Sequence, residues 1–477
     1  MSLVIRDVEL AELPTPTELS AAPVAVRRAD VRMAGGIVTH VTPPDAAPDA
    51  ERTLPGNGAA LLPGLHDHHI HLLALAAARE SVDVGPDAVA GADEMRAALA
   101  SAPVAHGWIR AVGYHESVAG DLDRHVLDRL LPGRPVRVQH RSGALWILNS
   151  AALARVHAVL DDSADVEREP GGAPNGRLWR YDTRLRPALP AAPPDLAAVG
   201  RLLAGYGITG VTDATPDLDS GAVALLGRAH ALGHLPQAIT LLGAPDSELP
   251  EGLRPGPRKL LLRDHDLPDY DALREVVRAT HARGRAVAVH CVTRESLILT
   301  LAVLEETGAL HGDRIEHAAV APGDVVEWLA RLGVRVVTQP DFLRTRAAAY
   351  SRDVAHDDLP YLYPYRSLLA AGIPVCASSD APYGEADPWR ALATAAARPL
   401  SPGENVSAGI GLAGYLGPAD APGTAPRRIV PGAPADVVLL RTPLAEALAD
   451  PAADLVAATV IAGRIRYRRG VSGTPHD

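Results

Sequence analysis

The chain has 477 residues, 47% hydrophobic and 22% charged, enough for a large buried core and far from the composition of a disordered chain. A formal net charge of −11, with no basic stripe and no interleaved aromatics, argues against a nucleic-acid surface. Two cysteines, Cys291 and Cys376, make no disulfide framework, and no run approaches the ~18 apolar residues of a membrane span.

From these features we expect reduced thiols, a cytoplasmic location, a small-molecule substrate, no nucleic-acid or membrane partner and, by default, a homodimer. The start, MSLVIRDVELAEL, lacks a charged leader followed by an apolar run, so no signal peptide is expected. Residues 1–60 read as short β segments (LVIRDVEL, APVAVRRADVRM, GGIVTHVTP) broken by Pro-, Ala- and Asp-rich turns. The stretches ADVVLLRT and LVAATVIAGRIRYRRG in 425–477 have the same texture, so the two ends are expected to pair into one small β-sandwich.

Between them, residues 61–424 alternate apolar strand-like runs with amphipathic helical ones, the pattern of βα units around a parallel sheet. Candidate strands in chain order are ALLPGLHDHH, PVRVQH, GITGVTDA, QAITLLG, KLLLR, RAVAVH, DRIEHA, VRVVTQP and IPVCASSD. That is one more than the eight of a closed (β/α)8 barrel, and QAITLLG is the weakest of them. The expected class is therefore α/β, a TIM-like barrel, with a long insertion over residues 72–134.

Four features fall at the ends of these strands, the edge where barrel active sites are built. In PGLHDHHIH an extended backbone turns Asp67, His69 and His71 to one face and His66, His68 and Ile70 to the other. His69 and His71 can then chelate one metal ion. His290 closes RAVAVH and His317 closes DRIEHA, each placing an imidazole at the end of an apolar strand; such ligands suit zinc, iron, nickel or manganese. Asp380 closes IPVCASSD, where a carboxylate is costly unless it is paired, ligates a metal or caps the next helix. Of the 46 Lys and Arg residues only Lys259, in GPRKLLLRD, is a lysine. Unlike arginine, an amine can lose its proton and capture carbon dioxide as a carbamate able to bridge two ions.

With HxH, Lys, His, His and Asp on successive strands, the chain resembles the amidohydrolase superfamily, and within it the branch that includes N-substituted formamide deformylases. PGLHDHHIH is similar to that family's PG-x-x-D-x-H-x-H. The stretch ending at Asn149, Ser150, Ala152 and Leu153, GITGVTDA, VVTQP, SSDAPYGEADPW and PGAPADVVLL resemble further family segments, so the resemblance spans nearly the whole chain. It implies a first metal on His69, His71 and Asp380, a second on His290 and His317, and a carboxylated Lys259 between them. Divalent zinc is the first choice, with two ions if the lysine is carboxylated. Asp380 would take the proton from an activated water and hand it to the departing nitrogen. Departures from the pattern fall elsewhere. Ala144 stands where the family often has His, Arg263-Asp264-His265-Asp266 replaces Asp-Gly after the lysine, and 403–427 is shortened.

The expected activity is hydrolysis of an amide, formamide or imide-like C–N bond. A one-metal deaminase is disfavoured, because the proton-donating Glu expected three residues after the strand-end His is Thr293, with the nearest acid at Glu295. A lactonase or phosphoesterase would use the same residues, and a non-catalytic binding module would be expected to have lost them. Tyr114, His115, His140, Arg141, Trp146, Gln339 and Tyr383 lie near strand ends and are candidates for contact with substrate.

Overall fold

The computed structural model describes residues 2–470 apart from 21, 22, 24, 105, 191 and 192; the part of the 425–477 segment from 471 onward lies outside the described residues. The chain divides into two compact units, Met1–Leu72 with Leu196–Asp477, and Leu73–Asp195.

The first unit is built on two parallel arcs. In one, Leu65–Ile70 pairs with Ile208–Asp213, then Ala238–Leu241, then the short strand Leu253–Pro255. In the other, Arg258–Leu261, Val287–Cys291, Arg314–His317, Arg335–Thr338 and Val375–Ala377 follow in chain order, each parallel to the next. Apart from Leu253–Pro255 these strands are mostly buried, as a parallel sheet covered by helices requires. Helices Ser220–Ala231, Tyr270–His281, Arg294–Thr307 and Gly323–Leu332 supply crossovers. Local chemistry starts three of them: Asp219, Asp269 and Thr293 each accept a main-chain N–H of the first turn.

Among the described residues the two arcs do not pair into one continuous ring, which differs from the expected closed barrel. Single main-chain bonds join them instead. Lys259 N–H donates to Leu242 O at 3.1 Å, Asp380 N–H to His69 O at 2.8 Å and His71 N–H to Ala381 O at 2.9 Å. The last two bonds bring the His-rich segment and the Asp380 segment together.

Two strand expectations are corrected. QAITLLG is a full member of the first arc, with Gly210–Asp213 beside Ala238–Leu241. PVRVQH is not part of either arc: Val136–His140 lies in the second unit, because its hydrogen-bonding partners are Ile109–Tyr114 and Leu145–Leu148. That unit carries a mixed six-stranded sheet in the order Val166–Arg168, Pro174–Trp179, Leu145–Leu148, Val136–His140, Ile109–Tyr114, Val82–Asp83. One apolar cluster around Met95, Leu99, Leu127 and Val138 and another around Trp108, Trp146, Leu178 and Tyr181 fill it. The insertion thus runs well past residue 134.

The chain ends form two four-stranded sheets. One holds Ile37–Thr42, Ala25–Ala34, Ser2–Glu12 and Arg52–Pro55, the other Arg464–Arg468, Val456–Ile461, Val437–Leu440 and Leu61–Pro63. Leu3, Ile5, Val31 and Met33 of the first share one core cluster with Leu61, Val437, Leu439 and Val460 of the second. Among the described residues no helix is long and apolar enough to cross a membrane.

Candidate metal centre

Strand alternation in HDHHIH works as the period of two demands. His66 turns its Nε2 to Thr212 Oγ1 at 2.9 Å and packs at a tilt against His68, their centroids 4.5 Å apart. His69 and His71 turn the other way, toward Asp380. Asp380 Oδ1 lies 3.1 Å from His71 Nε2 and 3.4 Å from His69 Nε2, and it is buried with no hydrogen-bond donor of good geometry among the described residues. Among the described residues these three form one group whose ligand atoms all fall within 4.8 Å of one another.

The outer nitrogens of both imidazoles are engaged. His69 Nδ1 meets Glu316 Oε2 at 2.5 Å and His71 Nδ1 meets Thr215 Oγ1 at 3.1 Å. Partners of this kind fix the ring and leave Nε2 free to face an ion. Glu316 is itself held by Arg314 Nε at 2.5 Å, and Arg314 also donates to His68 O at 3.0 Å. Asp67, the other residue on the ligand face, accepts the N–H groups of His69 and Ser379, so it braces both segments from beneath.

The remaining expected ligands adjoin this group. Lys259 Nζ lies 3.4 Å from His69 Nε2, and His317 Nε2 lies 3.0 Å from His290 Nδ1. The His317 ring is 5.0 Å from that of His69. Gln339, a candidate for substrate contact, brings its Oε1 to 2.6 Å from His317 Nδ1 and its amide to Ser378 Oγ at 2.9 Å, so here it orients a histidine. Both His317 and Asp380 sit in the left-handed region, φ 72° and 53°, a conformation uncommon outside glycine and found disproportionately at functional sites.

The electrostatics suit a cation. Burial, with the Lys259 charge added, holds His69 well below the usual histidine range, and burial lowers His317, so both present neutral nitrogens. Burial opposes charge on Asp380, but close contact with His69, His71 and His317 holds the carboxylate below its ordinary range. Burial also lowers the Lys259 ammonium, against the pull of Glu316 and Asp380. A buried carboxylate oxygen facing the Nε2 atoms of two imidazoles fits a divalent metal of the zinc type.

Asp380 does not cap a helix. The next one, Pro388–Ala396, is capped by Asp387, which accepts from Trp389 N–H at 2.9 Å. Thr293 likewise serves as a cap, and its hydroxyl donates to Asp264 Oδ1 at 3.0 Å. Tyr383 packs edge-on against His71 with centroids 5.4 Å apart.

The other candidates lie in the second unit. Trp146 is buried, its indole N–H on Asp182 at 2.8 Å and its ring beneath the guanidinium groups of Arg110 and Arg137. Tyr114 is buried too, its hydroxyl donating to Gly120 O. His115 and His140 stack, both facing Glu116. Each Nδ1 accepts a main-chain N–H, from Ser117 and Ser142 respectively, so the ring proton sits on Nε2 and points at the carboxylate. Glu116 is hydrogen-bonded to His140 at 3.3 Å and stands 3.7 Å from His115. Arg141 follows His140, with its main-chain N–H on Tyr114 O at 2.8 Å.

Glu316 is the residue that sequence reasoning missed. Its only signal was an acid inside an apolar strand, directly before a candidate ligand.

Comparison with known proteins gives a consistent result. The profile described as the amidohydrolase family matches residues 56–467. The N-substituted formamide deformylase of Arthrobacter pascens is 28% identical, over 89% of this chain and 91% of its own length. Two uncharacterized metal-dependent hydrolases of known structure share the fold. The one from Pyrococcus horikoshii has a TM-score of 0.71 at 17% identity, covering 98% of this chain and 100% of that one. The one from Pyrococcus furiosus has a TM-score of 0.67 at 19% identity, covering 91% and 98%.

Proposed function

Because the chain belongs to the amidohydrolase family and is a hydrolase of carbon–nitrogen bonds other than peptide bonds, we propose that it cleaves an amide, with N-formyl amides as the first class to test. The observation that carries this reading is the orphaned Asp380 Oδ1 facing His69 and His71. His69, His71 and Asp380 would hold one divalent ion; His290 and His317 would hold a second, with Lys259 carboxylated between them. Bound there, such ions lower the pKa of water and polarise a carbonyl oxygen.

The side chains supply the rest. Asp380, held below the usual carboxylate range, takes the proton from the attacking water and passes it to the amide nitrogen as the C–N bond breaks. The water oxygen ends on the carbonyl carbon, giving a carboxylic acid and an amine. Glu316 and Gln339 keep the rings of His69 and His317 in register for this step. Burial favours the neutral amine of Lys259, the form that can capture carbon dioxide. We further read the two arcs as one TIM-like barrel over 61–424 and the terminal sheets of 1–60 and 425–477 as one β-sandwich.

Elemental mass spectrometry of protein purified without chelator tests the reading. About two zinc or similar ions per chain are expected, falling to about one in Lys259→Ala, with turnover reduced a hundredfold or more. Wild-type turnover in Lys259→Ala would sink the bridged site. One ion in the wild type would favour the mononuclear form and reopen deamination, where Thr293 gives no proton donor. A panel of amides, lactones and phosphoesters separates the chemistries.

A further inference from the structure

Next to the ligand cluster stands a cation with no acidic partner among the described residues. Arg346 lies between helices Phe342–Thr345 and Ala347–Asp353 and is half-buried. Its neighbours are satisfied: Arg344 pairs with Asp341 and Arg352 with Asp353. Arg346 forms no ion pair among the described residues. Its guanidinium lies over the Phe342 ring, 3.9 Å from the centroid, and one Nη2 donates to Tyr383 O at 2.7 Å. Nε and Nη1 have no protein acceptor among the described residues.

The carbonyl that holds Arg346 places it beside the reaction centre. Tyr383 N–H donates to Asp380 O at 2.9 Å, and the Tyr383 ring packs on His71. Phe342 and Tyr363 belong to an apolar cluster against which Val292, Tyr350 and Tyr383 pack while staying partly exposed. Val292 follows the strand that ends in His290-Cys291, so this cluster adjoins two ligand-bearing strand ends.

A half-buried guanidinium without a counter-charge is costly, and its Nε–H or Nη1–H, with the remaining Nη2–H, can meet the two oxygens of a carboxylate. We propose that Arg346 binds a carboxylate carried by the substrate, so that the preferred substrates are N-acylated apolar amino acids whose side chain lies against Val292, Tyr350 and Tyr383. The substrate class rests on the amide-hydrolase reading; the carboxylate site does not.

Calorimetric titration of metal-loaded protein with 3-phenylpropanoate and its neutral amide tests the site apart from turnover. The carboxylate is expected to bind at least tenfold more tightly than the amide. Arg346→Gln should erase that preference and leave amide binding unchanged, and Arg346→Lys should fall between the two. A parallel measurement compares kcat/KM for N-formylphenylalanine and N-formylphenylalaninamide. Equal affinity for the two probes in the wild type, or an Arg346→Gln effect that is the same on both, overturns the proposal. Arg346-dependent binding without hydrolysis of either formyl compound supports the carboxylate site and counts against the chemistry. Hydrolysis of both compounds indifferent to Arg346 leaves the chemistry standing and overturns the site.

Discussion

His69 gives one nitrogen to Glu316 and keeps the other for the ligand cluster, so the aim of its ring depends on a carboxylate 247 positions away. Glu316→Gln keeps the shape and removes the charge. It should weaken metal affinity about 10- to 100-fold, read by competition with a chelator; unchanged affinity would make Glu316 merely the partner of Arg314. A second expectation concerns pH. His66 and His68 are fully buried and held well below their ordinary value of 6.5, chiefly by burial. As pH falls below 6.5 the unfolded chain takes up protons that the native state refuses, so native stability falls by about 1.4 kcal/mol per pH unit for each. Asp67 acts the other way: burial pushes it up to about 6, so between that value and 3.8 the native state gains a proton first. Burial also lowers His69, His140 and His317 and raises Asp387 and Asp436, so five histidines against three aspartates leave a net loss on acidification, and urea denaturation at pH 7.5, 6 and 5 should show falling stability. The faces of HDHHIH are legible in the sequence because strand alternation is local. Glu316 is not, because RIEH reads the same whether its acid meets Arg314 alone or reaches His69 as well.

Strand membership shows the same limit at the next scale. PVRVQH and QAITLLG are both short apolar runs, and nothing inside either says which neighbour will pair with it. The partner decides: Ala238–Leu241 lies beside Gly210–Asp213, whereas Val136–His140 lies between two strands of the insertion. Gly210 also records a close approach within its sheet. A Cβ there would fall 2.5 Å from His66 Nδ1, on a ring already held by Thr212. Gly210→Ala should therefore cost about 1–3 kcal/mol. In a double mutant with His66→Ala the total should be smaller than the sum of the single effects, because the smaller side chain relieves the clash. Additive losses in denaturant titrations would show that the strand pair shifts freely instead.

For the whole chain, the start of the insertion is legible as a break after the His-rich strand, while its far end at Asp195 is hidden by apolar strands like those of the arcs. Leu73–Asp195 holds its own sheet and two apolar clusters, and its length is that of an ordinary domain. Expressed alone, it should unfold in one cooperative thermal transition; a broad, featureless melt would mean that it needs the rest of the chain. The interruption also has a consequence for biosynthesis. Leu65–Ile70 leaves the ribosome long before its partner Ile208–Asp213, and Asp67 must wait for Ser379, 312 positions later. At ~5–20 residues per second, the nascent His-rich strand stays unpaired for several seconds or more, and the bond to Ser379 forms only after tens of seconds. For that interval a histidine-rich strand is open to chaperones and to stray metal ions, while the insertion can already have folded behind it.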